Sequence, residues 1–135
     1  MTMLSNELYW LVLTVSLTGL MWVPYIINRI VEQGMLFAIW DPQGETATKT
    51  AWADRMARAH NNAVENLAIF APLVLAIQFA QMNNDLTTMA CMTYFYARLL
   101  HFIGFSLGVP VIRVVTFMVS VVAQFALAFT LLGIV

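Results

Sequence analysis

The sequence predicts an all-α membrane protein, a four-transmembrane-helix bundle with up-down topology. Three observations predict it. The 135 residues are 61% hydrophobic and only 10% charged, with a mean hydropathy of +0.81, whereas soluble domains carry roughly 25% charged residues. Uncharged runs cover residues 8–28, 66–84 and 114–135, each close to the roughly 20 residues a helix needs to cross a hydrocarbon core. A fourth apolar stretch, 86–112, holds a single charge, Arg98. Charges this sparse exclude a soluble domain and a disordered chain. The net charge of −1 offers no basic face for nucleic acid. Cys91 is the one cysteine, which excludes an internal disulfide framework and a cysteine zinc cluster.

The expected helices lie near 7–30, 54–83, 86–107 and 110–134, so that residues 1–135 form one domain. The first has no basic segment before it and no small-residue cleavage site after it, and is expected to be an uncleaved helix. Pro24 is expected to bend or end it. A connection over 31–53 follows, with a turn at Asp41-Pro42-Gln43-Gly44. The joints at Asn83-Asn84-Asp85 and Gly108-Val109-Pro110 are short, so neighbouring helices are antiparallel. Pro72 is expected to kink the second helix. Tyr9, Trp10, Trp22 and Tyr25 read as an interfacial belt. Arg29, Lys49, Arg55, Arg58, Arg98 and Arg113 all fall toward one side, opposite Glu7 and Asp85. By the positive-inside rule the long loop is cytoplasmic and both termini are outside.

Polar residues form stripes on three of the helices. Arg55, Arg58, Asn61, Asn62, Glu65 and Asn66 fall within an arc of about 140° at 100° per residue. Tyr94, Arg98, His101 and Phe105 share a face of the third helix, and Arg113, Thr116, Ser120 and Gln124 a face of the fourth. A charge at membrane depth costs on the order of 2.5–3.5 kcal/mol on insertion scales, so it seeks a partner or a wet cavity. Glu65 and Arg98 are expected to pair. Arginines, amides and one carboxylate together suit an anionic, peptide-like ligand. The same residues also suit a buried ion-pair network that only sets helix register. His60 points away from the stripe and reads as a packing residue. With His60 and His101 on different helices, no metal site is expected.

Arg58-Ala59-His60-x-Asn62-x-x-Glu65-Asn66-Leu67, followed by Phe70-Ala71, resembles the second-helix signature of the MAPEG family, membrane-associated proteins in eicosanoid and glutathione metabolism. Tyr94-Phe95-x-Ala97-Arg98-x-x-His101, followed by Gly108-x-Pro110-x-x-Arg113, resembles the same family's segment from helix 3 to helix 4. The resemblance covers nearly the whole chain and suggests a bacterial-type member in an inner membrane. It implies a homotrimer that binds glutathione in a cytoplasm-facing cleft between subunits, with lipophilic substrates arriving from the bilayer lipids. It places Asn62, Glu65 and His101 at glutathione and Arg113 beside the thiol, as the catalytic residue. Arg29 is compared with a first-helix arginine of the family, and Arg58 and Arg98 with motif arginines of either structural or binding role; all three count among the candidate binding residues. Phe105, Val114 and Phe117 stand where better-known members offer hydroxyls, and Asn61 where some have another arginine. The expected activity is therefore a glutathione-dependent transferase or peroxidase. The alternative is a non-catalytic membrane protein of the same fold, structural or lipid-binding. A transporter or channel is disfavoured, because paired helix breaks and a ring of charges are lacking.

Overall fold

The computed structural model describes residues 4–41 and 48–135. Its element order is α1 (Asn6–Leu20), α2 (Trp22–Gln33), α3 (Met35–Ile39), α4 (Ala51–Ala80), α5 (Asp85–Leu107) and α6 (Pro110–Leu131), with no strand among the described residues. Three helical stretches are long and apolar enough to cross a membrane: Asn6–Gln33, Ala51–Ala80 and Pro110–Leu131. Helix α5 is as long as α6 but more polar. It packs against α1, α4 and α6, so its polar side chains meet protein.

The first expected helix divides at Met21, three residues before Pro24. Proline has no N–H to give the carbonyl four residues earlier and its ring crowds that carbonyl, which here belongs to Leu20. The break therefore falls just upstream of the proline, in keeping with the bend expected there. Helix α4 runs without interruption through Pro72. The connection after α2 contains the short helix α3, which was not expected. Gly34, at φ +83°, separates it from α2. Glu32 gathers Asn28, Thr48, Thr50 and the main-chain N–H of Lys49, tying the start of α4 to the end of α2. The expected turn beyond Asp41 lies outside the described residues.

The other two joints follow their sequences closely. Asn84 caps α5 in a capping box with Thr87: its side chain accepts from the Thr87 N–H, and the Thr87 hydroxyl accepts from the Asn84 N–H. Gly108, at φ +75°, ends α5, and Pro110 opens α6, where a missing N–H costs nothing. At Gly104 a Cβ would lie 2.5 Å from Ile112 Cγ2. Glycine at this position lets α5 and α6 close tightly below the turn.

Packing follows the helical period. The buried line of α4 is Ala59, Ala63, Asn66, Phe70, Val74 and Ile77, at the three- and four-residue spacing of one face. Phe70 stacks on Tyr94 of α5, with ring centroids 3.7 Å apart and planes 6° apart. Around that pair lie Leu11, Cys91, Ala123 and Leu127. Hydroxyls inside the bundle donate to carbonyls of their own helix: Thr18 to Thr14, Thr116 to Ile112, Ser120 to Phe117 and Thr130 to Ala126. This satisfies them where water is absent.

Candidate functional site

The polar arc of α4 is wider than the surface that α5 covers. Measured from the buried line, Arg55 and Asn62 lie at its edge, while Arg58, Glu65 and Asn61 swing progressively outward at 100° per residue. Asn66 is buried, Asn62 half-buried, and Arg58, Asn61 and Glu65 are exposed. Glu65 therefore does not pair with Arg98, contrary to the sequence expectation. It lies about 60° around the helix from Asn62, beyond reach of the core. The ion pairs among the described residues are Arg29 with Asp41 and Arg58 with Asp54.

Arg98 turns to Asn62 instead. It is 2% exposed, and its Nη2 donates to Asn62 Oδ1 at 2.7 Å. Its Nε and Nη1 are buried with no hydrogen-bond partner, as is Nε2 of His101. On the next turn of α5, His101 meets α6. Its Nδ1 donates to the Arg113 carbonyl at 2.9 Å, with Thr116 Oγ1 3.4 Å away. A carbonyl can only accept, so this nitrogen carries a hydrogen. The guanidinium of Arg113 is exposed and lies over the Phe105 ring, 5.0 Å from its centroid, a cation–π contact.

These side chains surround a cleft of about 240 Å³ lined by Asn62, His101, Phe105, Arg113, Val114 and Phe117. Three expected site residues, Asn62, His101 and Arg113, thus meet from α4, α5 and α6, with Arg98 behind Asn62. The three positions without hydroxyls form the apolar part of the same wall. The other expected residues stand elsewhere in the subunit. Arg29 lines a separate pocket between α2 and α4 with Tyr25, Thr48 and Asp54. Arg58 is on the outer face of α4, 70% exposed and paired along its own helix. His60 bonds to the Tyr25 hydroxyl through Nδ1 at 2.8 Å and anchors α2 on α4. Tyr25 is thus drawn into the bundle, while Trp22 and Tyr9 stay exposed.

The helix ends are braced by residues the sequence reading left without a role. Arg55 Nε donates to the Ser106 carbonyl at 3.0 Å, at the C-terminal end of α5. Glu7 is 2% exposed and accepts from the Thr87 and Thr88 hydroxyls at 2.7 and 3.0 Å, at the N-terminal end. Each charge has the sign that the helix dipole favours at its end. Only tertiary proximity reveals these contacts, because 80 residues separate Glu7 from Thr87.

The fold and the cleft define a helical membrane protein with an arginine- and amide-lined recess at the basic end of its bundle. The MAPEG family model matches residues 8–133, nearly the whole chain, and the protein belongs to that family. No curated protein and no solved structure matches it.

Proposed function

We propose that this protein is a four-span, homotrimeric, glutathione-dependent membrane protein of the transferase or peroxidase type. It acts on lipophilic electrophiles at a cleft facing the cytoplasm between subunits. The observation that carries the reading is the convergence of Asn62, His101 and Arg113 on one recess in a chain of the MAPEG family. The donors of Asn62 and Arg113 fit the carboxylates and peptide carbonyls of glutathione. As the fourth span, α5 would have its polar side chains shielded from lipid by the three helices packed against it. Glu65, Asn61 and Arg58 are polar and exposed on a spanning helix, where lipid is a poor solvent. A second copy of the chain covers them, bringing Glu65 to the ligand's ammonium group. Arg29 and Arg58 reach a cleft only across that boundary.

The chemistry asked of Arg113 is electrostatic. Its guanidinium stabilises the thiolate of the bound thiol, whose proton passes to water. The sulfur then bonds to the electrophilic carbon as the leaving group departs with its electron pair. Asn62 and Glu65 hold the tripeptide, and His101 braces the main chain at Arg113. Calorimetry on the purified protein should show glutathione binding, and a small aryl halide should be conjugated. Glu65→Ala and Arg113→Ala should abolish both. No heat of binding at millimolar glutathione would overturn the reading.

One observation favours a second reading, a MAPEG-fold protein without catalysis. Phe105, Val114 and Phe117 leave the wall beside Arg113 without a hydroxyl to share a thiolate or oxyanion. Its expected result is a folded protein that binds no thiol.

A further inference from the structure

We propose that Arg98 is a positioning residue. It fixes the amide orientation of Asn62, so that this residue offers the cleft hydrogen-bond donors and meets acceptor groups of the ligand. The inference rests on the ligand reading above and assigns Arg98 no contact with the ligand.

A guanidinium has donors only. The Asn62 atom that meets Arg98 Nη2 at 2.7 Å is therefore the amide oxygen. Asn66 Nδ2 approaches the same oxygen at 3.4 Å while donating to the Asn62 carbonyl at 2.9 Å. With its oxygen held between two donors, Asn62 has one amide orientation. Its Nδ2 is turned from Arg98 and has no partner among the described residues. Asn62 lines the cleft, and the two N–H bonds of Nδ2 are its free contribution there.

The remaining polar lining is Arg113 and His101. Arg113 is a donor, while His101, its Nδ1 hydrogen spent on the Arg113 carbonyl, keeps Nε2 as an acceptor. The rest of the wall is Phe105, Val114 and Phe117. A ligand carboxylate or peptide carbonyl finds donors at Asn62 and Arg113. A ligand donor facing Asn62 Nδ2 would lose its bonds to water without replacement. Arg98 also forms no ion pair within the described residues. Its buried charge behind Asn62 adds to the attraction for an anion. An asparagine held by a carbonyl in place of Arg98 would present the opposite face.

The test is a double-mutant cycle in glutathione affinity, measured by calorimetry on the purified protein. Arg98→Met frees the amide and should weaken binding roughly ten- to thirtyfold, the scale of a bond involving a charged group. Arg98→Lys keeps a donor-only partner and should stay within about threefold of wild type. In an Asn62→Ala background, Arg98→Met should cost no more than about twofold, because the residue it acts through is gone. Equal losses with and without Asn62, or Lys no better than Met, would overturn the proposal. Should the Met variant not fold, Arg98→Gln replaces it. It can hold Asn62 either way round and should lose about tenfold. If wild type binds no glutathione, the proposed function falls by itself. Arg98 is then read from the Asn62 side-chain amide resonance, assigned by its loss in Asn62→Ala. It should move in Arg98→Met and hold in Arg98→Lys; no movement in either would overturn the proposal.

Discussion

The two ends of the bundle treat buried polarity in opposite ways. At the Glu7 end, polar groups are matched within the chain. Glu7 accepts from two threonines, Ser5 donates to Gln78 at 2.6 Å, and Asn84 and Thr87 close a capping box. At the basic end, Arg98, His101 and Arg29 keep buried nitrogens without partners, Glu65 and Asn61 face outward, and Arg113 stands exposed over Phe105. Buried polar atoms are rarely left unmatched, and unmatched ones cluster where something else completes them. One end is built for stability within a chain. The other is unfinished and needs a ligand, a second subunit or both.

Substitutions should separate groups matched within the chain from the open cleft, with effects on folding that shrink in that order. Gly104→Leu places a side chain where a Cβ already lies 2.5 Å from Ile112. It should cost about 3 kcal/mol or prevent assembly of α5 on α6, seen as lost folded protein after detergent extraction. Glu7→Ala takes the acceptor from Thr88 and from one of the two bonds of Thr87. It should cost about 2 kcal/mol in denaturant titration and leave glutathione affinity unchanged. Arg55→Met removes the bond to the Ser106 carbonyl beside Gly108 and should cost about 1 kcal/mol by the same titration. Arg113→Ala should change stability by no more than about 0.5 kcal/mol, as an exposed position does, while abolishing ligand binding. A large stability loss from Arg113→Ala, with binding kept, would erase the contrast between the ends.

Much of the site was legible because helical spacing is a local property. Tyr94, Arg98 and His101 were expected on one face and are all buried there. Thr116, Ser120 and Gln124 share the inner face of α6, and Gln124 Nε2 donates to the Asn66 carbonyl at 3.2 Å. The glycine, proline and asparagine joints also carry their turn chemistry in their own residues. Other expectations failed for physical reasons. The pairing of Glu65 with Arg98 assumed that a polar arc is buried whole, yet a neighbouring helix covers only part of such an arc. Helix α3 was missed because five residues are too few for a periodic signal.

By itself, the sequence determined that this chain belongs in a membrane, which faces of its helices are polar, and where the last two joints fall. Each of these depends on composition or on the fixed period of a helix. The tertiary structure alone decided which polar residues meet. Asn62 faces Arg98 while Glu65, three residues on, faces away. Rotation of α4 against α5 selects between them, and at that rotation Phe70 stacks on Tyr94.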